Sequence, residues 1–252
     1  MRRPLLLCAA LVAAVAIFAI RLAPATLADA RLARLTNGNV RLADTTGTLW
    51  DARGALSAGA TRIPIAWRID PWPLLRGDLR LHLAPRADTA GGSPRADVAI
   101  QGERVEVTGA QVTFPAGIAV AVAGSTAGWT VGGDIDLDTA RFEWAPPSIR
   151  GDLAIRWRAA RLVPPGNAGP LDLGDVTVML RGGGDRLSGP VANVGGDLAV
   201  RGEIALRAAS GIELSVVLTP RRADQRELAQ ALSVLGSPDG DGWRFAGRYP
   251  IR

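Results

Sequence analysis

Apolar residues follow two different rhythms along the chain. Residues 4–20 are apolar and uncharged, with Arg2 and Arg3 before them and Arg21 after. A helix of that length is about 25 Å long, the short end of a bilayer core. Arginines at both ends extend to the head groups and cover the shortfall. The pattern predicts a membrane anchor over residues 4–21, marked by Pro4, Leu11, Ile17 and Ile20. The short basic tail, residues 1–3, then stays in the cytoplasm and the rest of the chain lies across the membrane. A cleaved export signal is the rival expectation, with small-x-small sites at Ala23-Pro24-Ala25 and Ala28-Asp29-Ala30. Signal cores span about 7–15 residues; this run is longer, and Pro24 disfavours the first site. Cys8 lies inside the run rather than after it, which argues against a lipoprotein.

Residues 22–38 carry Leu22, Leu27, Leu32 and Leu35 among Arg and Asp, then Asn37-Gly38. This predicts a juxtamembrane helical spacer, kinked at Pro24 and stopped at Asn37-Gly38. Packing of that helix on a neighbouring anchor is the alternative.

From residue 39 to residue 252 the period falls to two. Leu79, Leu81 and Leu83 alternate with Arg80 and His82; Val105 and Val107 with Arg104 and Glu106; Leu153, Ile155 and Trp157 with Arg156 and Arg158. Ile118, Val120 and Val122 alternate with alanines, and Ile212, Leu214, Val216 and Leu218 form the most regular row. Each is the pattern of a strand with one buried face. A Gly-Asp-apolar-x-apolar phrase recurs at Gly77, Gly133, Gly151, Gly174 and Gly196, too irregularly for a solenoid. It predicts a Gly-Asp turn entering each strand, about one hairpin per copy. Residues 84–97 are rich in Pro, Gly, Ser and Asp and mark a possible subdivision. One late helix is predicted before Gly236, where Leu228, Ala231, Leu232 and Leu235 form an apolar stripe. The stripe is expected to pack on the sheet, with docking on a partner as the alternative.

Two clusters near the start of the β region carry more information than periodicity. Thr46-Gly47-Thr48-Leu49-Trp50 reads as strand, turn and strand; Trp67-Arg68 and then Pro71-Trp72-Pro73-Leu74-Leu75-Arg76-Gly77 follow. With the anchor and spacer before them, these residues resemble the general secretion pathway protein N family, inner-membrane proteins associated with bacterial type II secretion. The family motif residues carried over are Thr46, Gly47, Thr48, Leu49, Trp50, Trp67, Pro71, Trp72 and Gly77. The resemblance implies no catalytic residue, because the family has no established enzymatic activity. It implies contacts with other inner-membrane and periplasmic subunits of the secretion machinery.

Composition narrows the remaining options. Net charge is +5, and the 29 basic residues are all Arg, scattered among carboxylates. Nucleic-acid binding needs a concentrated basic footprint and is not expected. One Cys allows no intrachain disulfide, and one His, His82, rules out a histidine-cluster metal site. His82 alternates with apolar residues and is expected to face solvent. Asp134, Asp136 and Asp138 lie on one side of a strand and fit a solvated face better than a cation site. Gly182-Gly183-Gly184 lacks the Lys-Ser or Lys-Thr of a phosphate loop and reads as a turn. Trp67 and Trp72 flank Pro71; core packing is favoured for both over rest on a membrane surface, and Trp50 is expected to cap the first hairpin.

The fold expected is mainly β: a transmembrane helix, then an elongated or curved antiparallel sheet with one late α-helix. The function expected is a non-enzymatic accessory subunit of type II secretion, with no cofactor and no metal. It sits in the inner membrane with its main domain periplasmic and acts through sheet edges and anchor. The alternative is a lipid-binding or lipid-transfer module, similar in outline to AsmA-like envelope proteins, whose apolar sheet face holds acyl chains. A continuous apolar lining open to solvent favours the second reading, a filled core the first.

Overall fold

A computed structural model of the chain describes residues 23–58, 61–84, 94–123, 129–164, 169–222, 232 and 236–249. The period-two segments pair into one fourteen-stranded antiparallel sheet, in which the strands lie almost in sequence order. The first half contains β1 (Arg41–Gly47), β2 (Asp51–Ala58), β3 (Thr61–Ile69), β4 (Asp78–Ala84), β5 (Arg95–Gln101), β6 (Arg104–Pro115) and β7 (Thr130–Ala145). The second contains β8 (Ser148–Val163), β9 (Leu171–Gly182), β10 (Arg186–Val194), β11 (Leu198–Arg207), β12 (Gly211–Pro220), β13 (Ser237–Asp239) and β14 (Gly242–Tyr249). Only the last pair leaves sequence order: β14 lies between β12 and β13. β4 pairs directly with β5, so one sheet runs across the segment read as a possible subdivision.

The apolar rows fall in register from strand to strand. Ile69 faces Leu81, Leu81 faces Val98, Val98 faces Val107 and Val107 faces Phe142. The row continues through Leu187, Leu206 and Ile212. A strand period of two makes such a row possible only if no strand slips by one residue. The largest core joins Leu171, Leu173, Val176, Val191, Leu198, Val200, Val216 and Leu232, with Trp157, Trp243 and Phe245 against it. A second core forms around Ile149, Leu180, Leu187 and Leu206, and Val178 and Ile204 pack on both. A third, small one holds Ala25, Ala52 and Trp67.

The Gly-Asp phrases do not each make a turn. Gly77 precedes β4 and Gly196 lies between β10 and β11, but Gly133, Gly151 and Gly174 lie inside strands at register irregularities. Gly174 has φ +68°, and a β-carbon there would collide with the Val194 carbonyl oxygen. Only glycine combines that backbone with that approach. Asp175 then closes the irregularity, its Oδ1 accepting the Ala159 N–H at 2.9 Å. The copies at Gly133, Gly151 and Gly174 fall one strand apart, because β7 and β8 each run 16 residues, whereas Gly174 and Gly196 fall one hairpin apart, as expected. β9 and β11 approach to within 8 Å, Cα to Cα, and Asp197 N–H donates to the Asp172 carbonyl at 2.8 Å just past the end of β10.

The helices also depart from expectation. The alternation of Ile118, Val120 and Val122 does not form a strand: α3 spans Ala116–Ala123. Every residue of that segment is apolar or glycine, so neither period is marked, and alanine favours helix. Pro115 offers no N–H to extend the ladder. Ala116 and Ile118 are buried, as suits a helix apolar all round. The spacer helix is α1, Thr26–Leu35, and it ends where Asn37 and Gly38 adopt positive φ. It does not stand clear of the sheet: Ala25 and Ala28 pack on Ala52 and Trp67. Four residues, Pro71–Leu74, form α2 in the β3–β4 turn.

Candidate interaction surface

The motif residues gather at one end of the sheet. Gly47 closes β1 with φ +108°, and Thr48 N–H donates to the Asp51 carbonyl at 3.0 Å. Leu49 N–H donates to the Ala23 carbonyl at 2.7 Å, and Pro24 bridges Thr48. The Trp67 indole N–H donates to the Leu49 carbonyl at 3.1 Å, and Ile69 N–H to the Trp50 carbonyl at 2.7 Å. Thr46 Oγ1 accepts from Arg53. Thr46 to Trp50 and Trp67 therefore clamp the segment by which the chain enters the sheet. Trp67 is 6% exposed, in agreement with core packing.

Trp72 contradicts that expectation. It is 69% exposed on α2, with Leu74 and Leu75 exposed beside it, Leu75 at 79%. Two prolines and a four-residue helix turn the chain too sharply for these side chains to reach the sheet. The turn is nevertheless ordered: Leu75 N–H donates to the Trp72 carbonyl and Gly77 N–H to that of Leu74. Gly77, φ +83°, leads into β4.

His82 lies on the outward face as expected, but not alone in solvent. Its Nδ1 is 2.6 Å from Asp97 Oδ1, and its Nε2 is 3.3 Å from Asp70 Oδ2. The hydrogen bond to Asp97, and then that to Asp70, hold the imidazole pKa above its ordinary value. No local pattern marks this bracket, because Asp97 meets His82 across the β4–β5 pair and Asp70 reaches it from the residue just past β3. Serine is missing from it, so it is no nucleophilic triad.

The rest of the outward face is a lattice of ion pairs. Glu106 and Glu143 stand directly opposite each other on β6 and β7, an unfavourable pair in itself. Arg141 answers Glu106 at 2.9 Å and Arg104 answers Glu143 at 3.3 Å. Asp136 accepts from Arg158 and from Thr113. Among the described residues no group of three or more potential ligands stands in position to hold a metal ion.

The edges of the sheet are blunted. Asp29 of α1 accepts the Leu42 N–H at 2.8 Å and both guanidinium donors of Arg41. Arg41 accordingly lowers the Asp29 pKa. At the other edge, β13 is three residues long and carries Pro238. The apolar face differs between the two halves. Apolar side chains on β9 to β11 are mostly buried, whereas Leu153, Ile155 and Trp157 on β8, Ile212 and Leu214 on β12, and Ile65, Leu81, Val98, Ile100 and Val107 on β3 to β6 are half-buried.

Leu232 is helical and 1% exposed in the largest core, and Gly236 N–H donates to its carbonyl at 2.9 Å. Leu228, Ala231 and the Leu235 side chain lie outside the described residues, as do Arg2, Arg3, Pro4, Leu11, Ile17, Ile20 and Arg21. No helix among the described residues is long and apolar enough to cross a membrane. Sequence reading also missed Asn193, whose amide donates to the Leu173 and Leu198 carbonyls while its Oδ1 accepts the Val200 N–H. An Asn just before Gly195-Gly196 was its only signal.

A family model described as type II secretion system protein N matches residues 38–246. No curated protein and no solved structure matches the chain.

Proposed function

Since the chain belongs to the type II secretion system protein N family, we propose that it is a non-enzymatic accessory subunit of that machinery. Residues 4–21 hold it in the inner membrane, the sheet lies in the periplasm, and it works by contact with other inner-membrane and periplasmic subunits. The family match over residues 38–246 carries this reading. The apolar run between Arg3 and Arg21 supports the anchor. The capped β1 edge and the short β13 turn attention from strand addition at the edges to side-chain surfaces.

The test is purification of the tagged full chain from native membranes. Carbonate-resistant membrane association, protease protection on the periplasmic side and co-purification of secretion subunits are expected. A soluble or cytoplasm-facing chain would refute the topology, and a chain purified without secretion subunits would refute the assembly role.

The half-buried apolar row on β3 to β6 favours a second reading, a module that holds acyl chains on that face. Mass spectrometry of the purified chain, with lipid bound at about one per chain, would support it. Absence of lipid would remove it.

A further inference from the structure

We propose that Trp72, Leu74 and Leu75 form a second membrane contact, seated in the head-group region of the bilayer that residues 4–21 cross. This rests on the anchor reading above.

Three observations carry it. The first is chemical. Residues 71–77 contain Trp72, Leu74, Leu75 and Arg76 and no carboxylate. Trp72, Leu74 and Leu75 are all exposed, side by side, on the same short turn. Tryptophan favours the membrane–water interface, and an adjacent arginine extends to phosphate. Other large exposed apolar side chains, such as Leu27, Met179 and Val194, have no such neighbour in sequence.

The second is rigidity. Prolines 71 and 73 and the bonds from Leu75, Arg76 and Gly77 to the carbonyls of Trp72, Pro73 and Leu74 fix the turn. Asp70 N–H closes its base on the Arg80 carbonyl at 3.1 Å. A preformed tip loses little freedom on docking.

The third is position. Ala23, almost next to Arg21, is bonded to Leu49, and Trp50 is bonded to Ile69 at the foot of the turn. β1 to β4 are successive neighbours, so the tip stands about 10–15 Å from where the chain enters the sheet. The tip therefore shares the end of the sheet nearest the anchor. Val194, 80% exposed, closes β10 at the opposite end.

The experiment uses the full chain with Cys8→Ser, carrying either Leu75→Cys or Val194→Cys labelled with an environment-sensitive fluorophore. Each is reconstituted into phosphatidylethanolamine–phosphatidylglycerol vesicles containing brominated lipids. Blue-shifted emission and quenching at position 75 several-fold above that at position 194 are expected. Equal, water-like emission at both positions, from a chain that resists carbonate extraction, overturns the second contact and leaves the anchor standing. Shielding of position 75 in native envelopes alone, and not in lipid vesicles, assigns the tip to a protein partner and also overturns it. Release of the chain by carbonate overturns both readings.

Discussion

The indole N–H of Trp67 donates to the Leu49 carbonyl across the β2–β3 hairpin at 3.1 Å. That single bond joins two sequence motifs separated by a strand and a turn. It also fixes the turn that receives Ala23, so the buried Trp67 holds the sheet to the segment by which the chain enters it. Trp72, five residues on, does the opposite and points outward.

The two tryptophans should separate cleanly in denaturation of the full chain in detergent. Trp67→Ala removes a buried ring and is expected to cost about 3–5 kcal/mol. Trp72→Ala leaves the core untouched and is expected to change stability by less than about 0.5 kcal/mol. Equal losses would contradict the assignment of one to the core and the other to the surface.

Leu232 tests whether the late helix belongs to the fold. Its burial among Leu171, Leu198 and Val216 predicts that Leu232→Ala costs about 2–5 kcal/mol. Wild-type stability in this variant, measured by the same denaturation, would contradict packing on the sheet.

Gly174→Ala should be damaging although it adds only a methyl group. The positive φ and the collision with the Val194 carbonyl predict a loss of at least about 1–3 kcal/mol. Gly102→Ala is the control, with similar φ but open space around its β-carbon. It should cost less.

The alternating strands were legible because one buried face with period two leaves an unambiguous trace, as in Leu79, Leu81 and Leu83. The helix Ala116–Ala123 was not, because a segment apolar at every position has no polar residues to mark its period. The interior glycines read as turns because Gly-Asp favours turns locally; only the neighbouring strand shows that Gly174 and Asp175 sit in a bulge. The exposure of Trp72 is hidden for a related reason. Its neighbours in sequence say it is apolar, not whether anything lies opposite.

His82 makes stability depend on pH. Asp97 and Asp70 raise its pKa in the fold, so protonation favours the folded state. The contribution is complete below the ordinary histidine value of about 6.5 and is lost as pH rises through the folded value. The side chain is 43% exposed, so solvent screening keeps the effect small. Amide exchange at Asp70, whose N–H donates to the Arg80 carbonyl, should quicken as pH rises above about 6.5 beyond the intrinsic base-catalysed trend. His82→Gln should abolish the excess; an unchanged excess would assign it elsewhere.

In-cell crosslinking of the tagged full chain tests the central claim most directly, with protein and lipid adducts both identified. Enrichment of type II secretion inner-membrane subunits over a control anchor, without lipid adducts on the sheet, is the predicted result. Lipid adducts at about one per chain with no secretion subunit would contradict the account.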